Sequence, residues 1–361
     1  MTKDWGKNSC MKREQIEPIH WKKKSGIEDI IENFGKTCFE ARNIAIGAKL
    51  FREMIEKGDN IWLGIAGAGI VGGLGGYVID LIESGFVDVI CSTGAQIYHD
   101  AHFAFGLPVI QGSPNVNDDK LSREGIVRIY DMNIKLKETL IKQDEIIRKF
   151  NNRIEKKGME ISSADYNYEF GKYILENSPH PEKSFVASAA RFRIPIYWDS
   201  ESNHSLALNN ASLYLNKRDV KISPSKSLLE ACAINYYNPQ LGFFELGGGG
   251  PKNWIQQISP MISQILGKKF EGAERGIQIT TAIEKDGGLS GCTFKEGVTW
   301  HKYKNAKKGL IQIYGEYSSI FPLITGYVLE TCIPREPKRF MDKKKELYKR
   351  FKEIIKNSYT N

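Results

Sequence analysis

The sequence has few cysteines and no long hydrophobic run. Its six cysteines are scattered singly with no CxxC pair, which argues against a zinc ribbon or a disulfide framework and favours reduced thiols in a cytosol. No apolar run is long enough to cross a bilayer, and the polar, basic N-terminus lacks the apolar core of a signal peptide. We therefore expect a cytoplasmic protein with no membrane partner.

The composition is that of a globular protein with a large core. The 361 residues are 41% hydrophobic and 26% charged, enough for one extended α/β domain or two fused lobes. Much of the net charge of +8 lies near the ends, at 22–24 and 334–356, as expected for solvated helix faces. A nucleic-acid partner is the less favoured interpretation, because no RNP, KH or zinc-finger pattern accompanies the charge.

Apolar runs and helical patterns alternate along the chain. Helices are predicted over 29–57, 163–176, 184–192, 203–217 and 225–237, with the longest helical pattern over 122–158. Buried strands are predicted over 61–66, 87–93, 194–198, 242–247, 276–281 and 310–315. This order predicts an α/β fold, a Rossmann-like, doubly wound and mostly parallel sheet with helices on both faces and inserted helices.

Two glycine-rich turns follow predicted strands. Gly67, Gly69 and Gly72 match G-x-G-x-x-G, and a second turn reads GGGGPKN from Gly247. Such turns let backbone N–H groups and a helix N-terminus approach a phosphate, so the pair favours a dinucleotide over a ligand-free loop. Asp199 and Asp286 follow strands at the same predicted sheet edge, where carboxylates can hold ribose hydroxyls.

The stretch 279–303 reads ITTAIEKDGGLSGCTFKEGVTWHKY. It leaves a buried strand and places Glu296, Trp300 and Lys302 close together in sequence. A lysine desolvated beside an indole loses its proton more readily and becomes a nucleophile. A solvated lysine resting its stem on the ring is the alternative interpretation.

These motifs together resemble the deoxyhypusine synthase family. The resemblance runs in one register from about Gly26 to Arg339, through NFGKTCFEARNIAIGAKLFREMIEKG, DVICSTGAQIYHD, LGGGGPKN, TTAIEKDGGLSGCTFKEGVTWHK and YGEYSSIFPLI. It implies three segments: a basic N-terminal extension (1–27), an NAD-binding catalytic domain (28–340) and a basic C-terminal helix (341–361). It also implies a homotetramer in which NAD accepts a hydride from an amine.

The resemblance implies roles for particular residues. Lys302 corresponds to the covalent carrier, Trp300 to the stacking indole and Glu296 to the substrate carboxylate. The positions that correspond to NAD contacts are Thr93, Gly94, Asp199, Gly247, Gly248, Gly249, Thr281, Ala282, Asp286 and Ser290. No metal is expected.

Three substrate-contacting positions depart from the family's pattern. Asn253 stands where the family has a histidine, and His204 and Leu289 stand where it has aspartates that bind a polyamine. Each lost charge-assisted hydrogen bond weakens the binding of a polycation by about 1.5–3 kcal/mol. We therefore expect the branch of deoxyhypusine synthase-like transferases acting between small amines, with an alkyl-transferring activity that moves an aminobutyl or guanidinobutyl unit from a polyamine or agmatine.

Three other functions remain as alternatives. An authentic deoxyhypusine synthase would transfer aminobutyl from spermidine to a translation-factor lysine. A non-catalytic homologue would bind NAD for structural reasons, although intact Lys302 and Glu296 argue against it. The string HDAH at 99–102 is similar to manganese-ligand motifs of ureohydrolases, but Ala104 stands where a further aspartate ligand is expected.

Overall fold

Short apolar runs form nine strands in two sheets. In the computed structural model, which describes residues 15–155, 160–305 and 308–359, the strands in chain order are β1 (Asn60–Ile65), β2 (Val89–Ser92), β3 (Val109–Gln111), β4 (Ile126–Ile129), β5 (Met132–Lys135), β6 (Ile196–Trp198), β7 (Leu241–Leu246), β8 (Arg275–Thr280) and β9 (Leu310–Tyr314). Six of them form one parallel sheet in the order β6-β2-β1-β7-β8-β9, and the other three form an antiparallel sheet in the order β3-β5-β4.

Fourteen α-helices are present in the described residues. They are α1 (Ile27–Gly35), α2 (Phe39–Glu56), α3 (Gly75–Glu83), α4 (Gly94–Ala104), α5 (Asp118–Arg123), α6 (Lys142–Glu155), α7 (Ser163–Asn177), α8 (Phe185–Phe192), α9 (Ser205–Tyr214), α10 (Pro224–Tyr237), α11 (Gly249–Pro260), α12 (Phe294–Thr299), α13 (Tyr317–Thr331) and α14 (Phe340–Tyr359). Short π-helical turns occupy Ile70–Leu74, Leu136–Ile141 and Met261–Ile265, and 3-10 turns occupy Pro181–Lys183 and Glu284–Asp286.

The parallel sheet has helices on both faces, and alternation along its strands explains why. On β1, Ile61 and Leu63 join one buried cluster with helices such as α2 and α13, whereas Trp62 joins a second cluster with α10, α11 and α14. Successive strand residues point to opposite faces, so a strand with apolar residues at every position must be covered twice. This arrangement confirms the predicted Rossmann-like α/β fold.

The strand order reverses between β1 and β7. The chain passes from β1 outward through β2 to β6, then returns to the middle at β7 and continues outward through β8 to β9. In open parallel sheets, such a switch point leaves a crevice at the carboxyl ends of the two middle strands, where ligands bind. Both glycine-rich turns lie there, because Gly67 follows β1 and Gly247 follows β7.

Two of the predicted helices are wrong in part. The pattern over 122–158 contains the β4–β5 hairpin, a π-helical turn and α6. The β-branched residues of this segment favour strands, and the chain turns back at Tyr130, which has a left-handed backbone (φ 48°). The resulting hairpin pairs with β3 in the small sheet. The helix predicted over 29–57 is divided into α1 and α2, with Phe39 also left-handed at the junction (φ 58°).

The C-terminal helix contributes to the core. The side chains of Phe340, Lys344 and Phe351 are buried on α14, and Lys344 Nζ lies 2.7 Å from a carboxylate oxygen of Glu230 on α10.

In the described part of the chain, no helix combines the length and apolar character needed to span a bilayer.

Candidate active site

A tyrosine ring packs against the first glycine-rich turn at Gly67 and Gly69. The Tyr317 hydroxyl accepts the N–H of Gly69 (2.7 Å) and donates to the carbonyl of Ala66 (2.9 Å). The next N–H, of Ile70, donates to Gln96. These two backbone donors are therefore satisfied within the protein, and the absence of side chains at Gly67 and Gly69 accommodates an aromatic ring.

The second glycine-rich turn begins a helix and offers backbone donors. Gly247 is left-handed (φ 76°), and Gly248 is the N-cap of α11 without a side-chain cap. A helix N-terminus that lacks a side-chain cap and has glycines in its first turn suits a phosphate. This turn, more than the first, therefore fits the pyrophosphate of a dinucleotide.

Several predicted cofactor residues converge on this turn. A Cβ at Gly249 would collide with Leu289 and would lie 2.7 Å from the Ser290 nitrogen, and a Cβ at Gly250 would collide with the Asp199 carboxylate. Burial raises the pKa of Asp199. The loop after β8 and the end of β6 therefore both pack closely against the start of α11.

Thr93 and Gly94 lie at the start of α4. Thr93 is its N-cap, and a Cβ at Gly94 would collide with the ring of His204. His204 is in turn the N-cap of α9, where its Nδ1 accepts the N–H of Ala207 (3.2 Å). Burial lowers the pKa of His204 to about 4, so the ring is neutral near neutral pH.

The lysine is presented by a compact loop after β8. Thr281 and Ala282 follow the strand, and Asp286 ends a 3-10 turn that Gly287 closes in the left-handed region (φ 75°). Thr293 then caps α12 by accepting the N–H of Glu296 (3.1 Å). The loop thus returns the chain to the sheet edge.

Lys302 is held by its backbone on both sides. Its N–H donates to the carbonyl of Gly297, and its carbonyl accepts from Ala273, each at 3.0 Å. His301, immediately before it, is left-handed (φ 56°). These constraints fix where the lysine side chain leaves the backbone.

Five predicted residues line one cavity of about 360 Å³. They are Asn253, Leu289, Glu296, Trp300 and Lys302. His204 is not among the lining residues. The cavity also has lining residues that were not predicted as site residues, namely Gln257, Glu284, Gly287, Gly288 and Cys292. Four of them lie inside the stretch 279–303 and Gln257 follows the second glycine-rich turn, so their place in these segments was the available signal.

The Lys302 amine is buried and bonded to a neutral acceptor. The residue is 7% exposed, and Nζ donates to Asn253 Oδ1 at 3.0 Å. Burial lowers the pKa of Lys302, opposed by the acidic groups of Cys292, Glu245 and Glu296. Trp300 is itself 57% exposed, so the surrounding protein as a whole, more than the indole, excludes water from the amine.

A buried polar layer lies beneath this cavity. Lys252 Nζ donates to Gln278 (2.9 Å) and to the carbonyl of Cys292 (2.6 Å), and Gln256 donates to Glu245 (2.8 Å). Sequence reasoning missed this layer. The available signal was a glutamate inside the apolar strand GFFELG, directly before the second glycine turn.

The HDAH string forms a separate hydrogen-bonded cluster. His99 Nδ1 lies 3.0 Å from His102 Nε2, whose ring also bonds Gln143 (2.7 Å). Asp100 instead accepts the N–H groups of Phe185 and Val186 at the start of α8. The Asp100 carboxylate thus serves as a helix cap, and among the described residues no group of three or more His, Cys, Asp or Glu is placed to hold a metal ion.

Comparison with known proteins gives a consistent result. The family model described as deoxyhypusine synthase matches residues 29–328. A deoxyhypusine synthase-like protein of Nostoc sp. is 33% identical over 344 residues, covering 92% of this chain and 89% of the relative. One from Nostoc punctiforme is 32% identical over 345 residues, covering 92% and 87%.

A solved structure shares the fold. The crystal structure of a candidate deoxyhypusine synthase from Entamoeba histolytica superposes with a TM-score of 0.57 at 16% identity, covering 89% of this chain and 99% of the other.

Proposed function

The chain belongs to the deoxyhypusine synthase family, and from that membership we propose an NAD-dependent transferase acting between small amines. It oxidises a polyamine or agmatine-like donor and carries the four-carbon unit on Lys302 to a second amine. The observation that carries this proposal is the buried Lys302 amine, facing a cavity shared with Glu296 and Trp300 and bonded to a neutral partner.

The burial and the hydrogen bonding of Lys302 support its role as the nucleophile. A lysine with a lowered pKa is a free amine in a larger fraction of molecules near neutral pH. Because Asn253 Oδ1 accepts one N–H of Nζ, the lone pair can face the cavity. Asn253 positions the amine but cannot serve as a base, since an amide does not take up a proton near neutral pH.

The cavity suits an amine of modest charge. Glu284 and Glu296 supply carboxylates, and the face of Trp300 can pack on an alkyl chain or a cationic head. Leu289 adds an apolar wall. Two carboxylates and an apolar wall favour a donor with one or two cationic groups over a longer polycation.

NAD fits the second glycine turn. Gly248, Gly249 and the start of α11 would hold the pyrophosphate, and Asp199, packed on Gly250, would hold a ribose hydroxyl. NAD held there would supply the hydride acceptor that oxidation of the donor carbon requires. The Lys302 amine, which faces the same cavity, would capture this carbon.

The proposal is tested by trapping the Lys302 adduct. The protein is incubated with NAD and spermidine, putrescine or agmatine, reduced with borohydride and digested for mass spectrometry. An aminobutyl or guanidinobutyl group on Lys302 is expected, and Lys302→Ala is the control that must lose it. No adduct with any donor would contradict the transferase.

The acceptor is identified by analysing the products. Amine mixtures should give a linear triamine or a bis-guanidino triamine. Transfer to a lysine of an added translation factor, with no small-molecule product, would instead favour an authentic deoxyhypusine synthase.

A further inference from the structure

A fully buried carboxyl group lies on β7 beneath the Lys302 cavity. Glu245 is 1% exposed, and its Oε1 accepts hydrogen bonds from Gln256 (2.8 Å) and Tyr303 (3.4 Å). Its Oε2 has no partner in the described part of the chain. An unsatisfied buried oxygen costs about 1–3 kcal/mol, so an apolar residue here would be more stable unless the charge has a use.

Two buried amines lie near this carboxyl group. Lys252, from α11, and Lys302 are 2% and 7% exposed. The hydrogen bonds of Lys252 go to neutral oxygens of Gln278, Ser290 and Cys292. Burial raises the pKa of Glu245 to about 7, and the charges of Lys252 and Lys302 oppose that rise. The geometry agrees, because Gln278, which bonds Lys252, is the register partner of Glu245 on β8, and Tyr303, which bonds Glu245, follows Lys302 in the chain.

The immediate neighbours of the Glu245 carboxyl group are uncharged. Across β1 it faces Gly64, which has no side chain, and across β8 it faces Gln278. Tyr303 and Gln256 bond its other oxygen. Glu245 is thus a buried carboxylate with two buried amines in its surroundings.

Resting on the transferase proposed above, we propose that Glu245 is a positioning residue that supplies the buried counter-charge shared by Lys252 and Lys302. The single charge of Glu245 can balance one buried ammonium, so of Lys252 and Lys302 the second amine is favoured in its free form. When the Lys302 nitrogen becomes a cationic imine, Glu245 balances the new charge.

The charge movement follows from the bonds that change. Lys302 Nζ forms a bond to the imine carbon of the oxidised donor, and the bond from that carbon to the departing amine breaks. One proton of Nζ leaves on the departing amine, so the positive charge moves from the donor nitrogen to Nζ. A buried carboxylate near Nζ stabilises that product.

Competitive labelling of the full chain with trace acetic anhydride across a pH series tests this assignment without any substrate. The nearby titratable groups whose charges act on the pKa of Lys302 are Cys292, Glu245, Glu296 and Lys252. Glu245→Gln removes a negative charge and should increase Lys302 labelling near neutral pH about tenfold, as for a pKa lowered by one. Lys252→Met removes a positive charge and should decrease the labelling.

Matched variants separate charge from packing. Glu230→Gln makes the same change at another buried carboxylate, 2% exposed and paired with Lys344, and should leave Lys302 labelling unchanged. Glu245→Asp is the substitute if Glu245→Gln does not fold, as judged by circular dichroism. It keeps the negative charge but shortens the side chain, so Lys302 labelling should change less than in Glu245→Gln. Unchanged labelling in folded Glu245→Gln, or changes of the same direction in Glu245→Gln and Lys252→Met, would overturn the assignment.

Borohydride trapping distinguishes this assignment from the proposed function. Labelling that shifts as expected in a protein that traps no amine would support Glu245 and contradict the transferase. Trapping in the wild type with no labelling shift in Glu245→Gln would contradict Glu245 alone.

Discussion

Gly69→Ala should destabilise the protein because the Tyr317 ring occupies the space of the new methyl group. Gly69 has helical backbone angles (φ −66°, ψ −35°), so alanine is conformationally acceptable and the effect is one of packing. The added Cβ would lie 2.6 Å from the nearest ring carbon and would collide with the hydroxyl. Overpacking against a rigid group costs about 1–3 kcal/mol.

The hydrogen bonds of Tyr317 add to this cost. A ring that moves aside gives up the bonds to the Gly69 N–H and the Ala66 carbonyl, each with a net contribution of about 1 kcal/mol. The unfolding free energy of Gly69→Ala, measured by urea denaturation, should therefore fall by about 3–5 kcal/mol. In the Tyr317→Ala background the same substitution should be neutral within about 0.5 kcal/mol.

Gly76→Ala is the matched control. Gly76 lies on α3, and a Cβ there meets no atom within 4 Å, so alanine should be neutral or should stabilise the helix by up to about 1 kcal/mol. A Gly69→Ala protein as stable as Gly76→Ala, or a loss of stability that persists after Tyr317 is removed, would contradict a clash with the Tyr317 ring.

Two further substitutions test the electrostatics. Asn253→Asp places a negative charge 3.0 Å from the Lys302 amine, so the pKa of Lys302 should rise and borohydride trapping at neutral pH should fall at least about tenfold. Lys344→Met leaves the buried Glu230 carboxylate without its ammonium partner, and urea denaturation should show a loss of about 3–5 kcal/mol.

Each of these has a control in the same region. Gln257→Glu adds a charge to the Lys302 cavity without a bond to the amine, so it should reduce trapping less than Asn253→Asp. Lys343→Met removes an exposed lysine adjacent to Lys344 and should change stability by less than about 0.5 kcal/mol. Equal effects within either pair would contradict the geometry that motivates it.

The sequence allowed the parallel sheet and the lysine loop to be predicted. Each of the six predicted strands of the main sheet is a short apolar run with a turn signal beside it, which is the clearest pattern a buried parallel strand can have. The segment over 122–158 failed because an apolar run broken by charges fits both a helix and a hairpin, and pairing with β3 decided between them.

The site was predictable in part because its residues lie in turns and loops with distinctive composition. Glu296, Trp300 and Lys302 lie within one short segment, so their common cavity could be expected. Glu245 carried only the signal of an acidic residue inside an apolar strand, and Tyr317 carried none, since each makes its contacts with segments far apart in the sequence.

Three glycines at the sheet edge have a consequence for how mutational data on this protein should be interpreted. The Cβ positions of Gly94, Gly249 and Gly250 are filled by His204, Leu289 and Asp199 respectively. In a saturation screen these glycines should therefore score as intolerant even if they never touch a bound molecule. Their intolerance would reflect the space that a neighbouring side chain occupies. Replacing that neighbour with a smaller residue should make the glycine position tolerant of substitution.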